Sequence, residues 1–356
     1  MSYKKIVLFS FLAGFLALSG CTLPTTATSQ NGSDGGFWLS LDSGRTISQS
    51  VKVPATDGKI IAISNVDVIK IVVDPSDSQA IYLATNGNGI IYSYDGGSSW
   101  RQFRDLNKSL VSSLAVDPRN KCVLYASVSN KLYKSIDCGR TWQNPYFHQK
   151  PSVTLTDLAV SQSDSNIILM GNSDGELLKS INGGQSWKTV LRAASGPISD
   201  IVIDPNNPSI VYAGTLKSGI YKSIDNGENW SELGEGLKSY SGTHEYKKLI
   251  ADPETSNGLI FISKYGLLRS SDGGAHWDLI NILPAPKATT ITAVAVNPKN
   301  SKEIYYTTQN TLVKSIDGGQ TWSSIKLPYS RLTSCIVVNP GDPRIVYFGT
   351  QLPSKK

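Results

Sequence analysis

The sequence predicts an all-β fold: a seven-bladed β-propeller with four-stranded antiparallel blades, the last blade closed by the N- and C-terminal strands. Three observations predict it. An eight-residue motif, Ser-x-Asp/Asn-x-Gly-x-x-Trp, occurs six times and contains six of the seven tryptophans. Those tryptophans, Trp100 to Trp322, are spaced 42, 45, 43, 47 and 45 residues apart, one supersecondary unit each. Ahead of each motif run two strand-like stretches, the first usually ending in Asp-Pro or Asn-Pro and the second Tyr-rich. Ile71-Val72-Val73-Asp74-Pro75 followed by Ile81-Tyr82-Leu83-Ala84-Thr85 is an example.

The count of seven comes from the chain ends. Ser40-Leu41-Asp42-Ser43-Gly44-Arg45-Thr46-Ile47 keeps the motif without its Trp and lacks a two-strand half before it. Cys335-Ile336-Val337-Val338-Asn339-Pro340 with Ile345-Val346-Tyr347-Phe348-Gly349 is a two-strand half with no motif after it. Strands around residues 37 to 53 are therefore expected to pair with those around 332 to 349. Such closure hides edges that would otherwise template aggregation.

Residues 1–20 read as a lipoprotein signal peptide, 21–36 as a flexible tether and 37–356 as the propeller. Lys4 and Lys5 precede an apolar run from Ile6 to Leu18, and Leu18-Ser19-Gly20-Cys21 matches a bacterial lipobox, making Cys21 the expected site of lipidation. The run falls short of the ~20 residues that a spanning helix needs. Residues 22–36, rich in Thr, Ser, Gly and Asn, suit a tether. The expected location is the bacterial cell envelope, lipid-anchored on the extracytoplasmic side.

Within the motif, Asp95, Asp137, Asn182, Asp225, Asp272 and Asp317 read as structural turn caps, with Gly supplying a positive φ and Trp packing back into the blade. One carboxylate per loop lacks the several oxygens of a calcium site. No metal or cofactor is expected, and no nucleic-acid partner.

The motif resembles the Asp-box (BNR-like repeat) of sialidases, sortilin-type receptors, xyloglucan-degrading endoglucanases and photosystem II stability/assembly factors. This resemblance implies the propeller strongly and function weakly, since fold and function separate on such scaffolds. Sialidases also need an inner arginine cluster, a Tyr nucleophile with a Glu partner and an Arg-Ile-Pro-like segment. Here the early strand reads Ile69-Lys70-Ile71, and Arg344-Ile345-Val346 is no match. Asp204-Pro205-Asn206-Asn207-Pro208-Ser209-Ile210-Val211-Tyr212-Ala213-Gly214-Thr215 is similar to the xyloglucanase repeat, but those enzymes draw one carboxylate from each of two propellers. The photosystem II factors resemble this chain in being single propellers, though their Gly-Trp-x-Val-Gly second strand is replaced by sequences such as Ile-Val-Tyr-Ala-Gly-Thr.

Chemistry is sparse. The three histidines, His148, His244 and His276, are not placed beside any nucleophile. Equivalent positions of the first strands are Lys70, Ser113, Asp157, Asp200, Lys248, Ala293 and Cys335, which should ring the central channel. Asp157 and Asp200 on adjacent blades form the alternative glycosidase pair, with a charge pair to Lys248 as the plainer reading. Cys122 and Cys138 lie almost equally far from a turn near Ser129-Asn130, so a disulfide across that hairpin is plausible in an exported protein. Cys335 reads as a buried small hydrophobe.

The formal charge is +6, and the connections between blades carry a net positive share of it. Arg101, Arg104, Lys150, Arg192, Tyr240, Tyr329 and Arg331 are the expected binding face, opposite the Asp-box tips. The expected function is a membrane-tethered, non-enzymatic scaffold for a protein or membrane-protein complex, and the basic loop face points to an acidic one. The alternative is a glycosidase or glycan-binding lipoprotein.

Overall fold

The computed structural model describes residues 34–50, 52–54, 60–283 and 290–352. The signal segment, Cys21 and most of the expected tether lie outside them. Seven four-stranded antiparallel sheets form the blades. In the first six the chain runs from the innermost strand outward, as in blade 1 with Val68–Asp74, Asp77–Thr85, Ile90–Ser93 and Arg101–Gln102. The innermost strands of the other blades are Val111–Asp117, Leu155–Val160, Ile198–Ile203, Tyr246–Ala251, Ala293–Asn297 and Leu332–Val338. Each touches the next, and the seventh touches the first, which closes the ring.

Blade 7 is assembled from both ends. Leu332–Val338 pairs with Val346–Gln351, which pairs with Gly36–Ser40, which pairs with Ser48–Ser50. The register sets Trp38 opposite Phe348 and Leu39 opposite Tyr347. The clasp has polar support: Arg331 Nη1 donates to Asp67 Oδ1 at 2.8 Å, and Ser330 N donates to Asp34 Oδ2 at 2.6 Å. Lys52–Pro54 and Ile60–Ala62 form an extra two-stranded hairpin before blade 1, which the repeat pattern does not foreshadow.

Both faces of a blade pack on neighbouring blades, so the second strands read as unbroken apolar runs instead of alternating ones. Ile168–Asn172, Val211–Thr215 and Leu259–Ser263 are buried along their whole length. Clusters form at the seams, as where Tyr82, Ala84 and Phe103 of blade 1 meet Leu114, Val116 and Leu124 of blade 2. A register break recurs in the innermost strands immediately before Lys70, Asp157, Asp200, Lys248 and Cys335. Such bulges re-aim the residues that follow them, here towards the axis.

Candidate functional site

The Asp-boxes are self-contained loops. In the sixth clear copy Ser315 Oγ donates to Asp317 Oδ1 at 2.7 Å and accepts the Gly319 N–H at 2.8 Å. Asp317 Oδ1 accepts the Thr321 N–H at 2.9 Å, and Oδ2 accepts its hydroxyl at 2.5 Å, so both oxygens are occupied within the turn. The Trp-less copy keeps the same bonds from Ser40 and Asp42. Led by the backbone N–H of the residue four ahead, these donors favour the carboxylate and lower Asp42 and Asp137 to about 2. The loop's fifth residue must be Gly: Gly139 has φ +81, and a Cβ there would lie 2.2 Å from Phe103 Cζ.

The fourth box residue also fixes the cysteines. Its N–H bonds the start of the second strand, Cys138 N to Cys122 O at 3.0 Å. This holds the two residues side by side, and they are joined as a disulfide with Cα atoms 3.7 Å apart.

The ring positions converge on the axis. Lys70, Asp157, Asp200, Lys248, Ala293 and Cys335 line a cavity of about 340 Å³. Lys70 Nζ lies 2.6 Å from Asp157 Oδ1 and 3.0 Å from Ser113 Oγ, while Ser113 Oγ donates to Asp157 Oδ1 at 2.7 Å. Lys248 Nζ pairs with Asp200 Oδ1, and Tyr246 donates its hydroxyl to Asp200 Oδ2 at 2.7 Å. The remaining partners come from the bulged strands. The Ile201 N–H donates to Asp157 Oδ2 at 2.9 Å, the Leu249 N–H to Asp200 Oδ2 at 3.3 Å, and the Leu158 N–H to Ser113 Oγ at 3.2 Å. In each case a side chain of one blade caps a backbone N–H of the next.

Electrostatics separate the two carboxyls. Burial pushes Asp157 up, but Lys70, Lys248 and the hydrogen bonds outweigh it and leave the group below its ordinary range. Asp200 is raised, burial being the largest cause, with Asp157 adding to it against the pull of Lys248. Lys248 is itself raised, because the two carboxylates overcome its own burial. Cys335 lines the channel and is only partly buried, which corrects the expected buried position, and desolvation of its sulfur still pushes the thiol up to about 11.

The expected loop face divides. Arg101 and Arg104 are exposed, but they line a groove shared with Cys138, Gly139 and Arg140 of the next Asp-box, so they do not lie opposite the box tips. Lys150 and Arg192 are exposed and paired, to Asp174 at 3.1 Å and Glu176 at 3.1 Å. Tyr240 is half-buried and donates to Trp277 O at 2.6 Å. Two residues are corrections. Tyr329 is buried, its ring 5.0 Å from Trp38, and Arg331 is held between Asp34 and Asp67 in the clasp. Both look like loop residues in sequence because ring closure, which buries Tyr329 and pairs Arg331, is not local.

Comparison with known proteins agrees with the fold. The profile described as Sortilin, neurotensin receptor 3 (Sortilin-Vps10) matches residues 93–195. A search of curated protein sequences returns no significant match. Among solved structures, the Niastella koreensis GH74 enzyme superposes with a TM-score of 0.65 at 18% identity, over 80% of this chain and 51% of that one. The GH74 xyloglucanase from Xanthomonas campestris gives 0.63 at 19%, over 81% and 51%. This chain thus spans about half the length of those enzymes. YCF48 bound to D1 peptide gives 0.62 at 15% identity, over 85% of this chain and 96% of that one.

Proposed function

We propose that this propeller is a non-enzymatic scaffold that binds a protein partner, tethered by a lipid on Cys21 to the extracytoplasmic side of a bacterial membrane. The observation that carries the non-enzymatic part is the saturation of the channel carboxylates. Every oxygen of Asp157 and Asp200 accepts bonds from Lys, Ser, Tyr or a backbone N–H. A nucleophile or general acid needs an oxygen free to meet substrate, and these hold neighbouring blades together. Support for a protein ligand comes from YCF48, a similar single propeller whose structure holds a D1 peptide. Lys4, Lys5 and Leu18-Ser19-Gly20-Cys21 support the anchor.

One observation favours a carbohydrate-active reading: Asp157 is lowered while Asp200 is raised, the split of an acid and base pair, and GH74 enzymes share the fold. A single set of preparations decides. The full chain, purified from its native membranes, is expected to retain a stoichiometric protein partner and to leave xyloglucan and sialosides intact. Cys21→Ala should move the protein to the soluble fraction, and Asp157→Asn with Asp200→Asn should leave partner retention unchanged. Hydrolysis of either glycan that disappears in the double variant would overturn the scaffold reading; an unmodified Met1 in intact-mass analysis would remove the anchor.

A further inference from the structure

The residue just before the box serine is a cation in five of the seven blades; the exceptions are Leu39 in the split blade and Tyr92 in blade 1. Each of these cations crosses to the next blade. Lys134 Nζ donates to Gly183 O at 2.8 Å, Lys179 meets Glu228 at 2.9 Å and Lys222 reaches Asn257 Oδ1 at 3.0 Å. Arg269 donates to Ser301 O at 2.9 Å and Lys314 to Ser43 O at 3.3 Å. Three of these cations also sit over a second-strand tyrosine, Lys134 over Tyr125, Lys222 over Tyr212 and Lys314 over Tyr305. They plug the seam from outside.

Blade 1 has Tyr92 at this position, and the seam towards blade 2 stays open as a groove of about 790 Å³. Its floor is aromatic. Tyr92 stacks on Phe103 at 4.3 Å and meets Tyr94 at 5.0 Å, while Tyr82 lies beneath, within 6.5 Å of each ring. Tyr94 is 49% exposed. The rim is basic: Arg101, Arg104 and Arg140 are exposed, and their guanidiniums have no hydrogen-bond or ion-pair partner among the described residues. Against them stands Asp105, since Lys121 and Asp77 pair with each other at 3.6 Å.

We infer that this groove between blades 1 and 2 is a docking site for an acidic, aromatic-bearing segment of a partner protein. The inference rests on the protein-binding reading above and names the place and chemistry of the contact. Planar guanidiniums with free donors take carboxylates bidentately. The packed rings with half-exposed Tyr94 give the groove an apolar floor, which suits an inserted apolar side chain flanked by acids. A neutral sugar could accept hydrogen bonds from these arginines but would leave their charge unpaired, whereas a carboxylate satisfies both.

The test uses a fluorescein-labelled Glu-Phe-Glu-Phe-Glu peptide and its Lys-Phe-Lys-Phe-Lys counterpart, titrated with the full chain by anisotropy. The acidic peptide is expected to bind and the basic one not. Arg101→Gln with Arg140→Gln should weaken binding roughly tenfold, as should raising salt, because both act on the same field. Tyr92→Lys, which restores the plug of five other blades, should abolish it. Lys326→Gln, exposed on the outer strand of blade 6 and outside the groove, should change nothing. Because the two arginines are exposed, the Gln variants carry the test even if Tyr92→Lys folds poorly. Binding that is indifferent to these groove variants overturns the assignment, as does an oligogalacturonate of equal charge binding there in place of the peptide. If the native partner of the preceding section stays bound to Tyr92→Lys, the groove assignment falls while the scaffold reading stands.

Discussion

Each box aspartate is held inside its own turn by the box serine hydroxyl and by the backbone N–H and side chain of the residue four ahead, which makes acid sensitivity a property of single residues. The folded values lie near 2 for Asp42 and Asp137, with Asp225, Asp272 and Asp317 lower still. An unfolded Asp titrates at about 3.9. A depressed folded value contributes stability that is fully present above the unfolded value and is lost as pH falls through the folded one. The denaturation midpoint is therefore expected to drop between about pH 4 and pH 2. Asn182 shows that an amide keeps the geometry, with Oδ1 accepting Ser186 N at 2.9 Å and Nδ2 donating to Ser186 Oγ at 2.8 Å. Combined Asp42→Asn, Asp137→Asn and Asp317→Asn should thus flatten the acid limb without unfolding the protein at neutral pH. An unchanged limb in this variant would refute the assignment.

At the scale of the blade, the motif tryptophans are not equivalent. Trp100 is fully buried, its ring 4.6 Å from Phe37 and its Nε1 bonded to Ser50 Oγ at 2.9 Å, so it pins blade 1 to the split blade. Trp230 is partly exposed and bonds its own Gly227 O at 3.1 Å. Trp100→Ala is expected to cost roughly 3–5 kcal/mol, and Trp230→Ala clearly less, because only the first leaves a cavity at a closed seam. Equal losses in urea titration would contradict that difference. The repeat shows that a Trp sits in every clear box; what it packs against depends on the following and preceding blades. The seam cations are a second case. Lys134, Lys179, Lys222, Arg269 and Lys314 stand at one aligned position in the sequence, yet that they bridge blades, and that Tyr92 leaves a bridge out, needs the three-dimensional neighbours.

For the whole molecule, ring closure is the controlling fact. Removing residues 343–356 takes away Val346–Gln351, the strand between Leu332–Val338 and Gly36–Ser40. Two edges open and the clasp to the N-terminal strands is lost, so the truncated chain should lose its cooperative thermal transition by circular dichroism. A truncated protein with an unchanged melting temperature would refute closure as the source of cooperativity. The sequence by itself determined the blade number, the order of strands and the split seventh blade, because these follow from local hydrogen-bonding loops and apolar runs repeated at a fixed period. It also placed Lys70, Asp157, Asp200, Lys248 and Cys335 at one level of the channel, since equivalent positions of a repeat occupy equivalent radii. Only the tertiary structure decided that both carboxylates are saturated, that Tyr329 and Arg331 are enclosed and that Arg101 and Arg104 share a groove with the next box. Those outcomes depend on which side chain a neighbouring blade or the opposite chain end presents, and that contact is set by closing the ring.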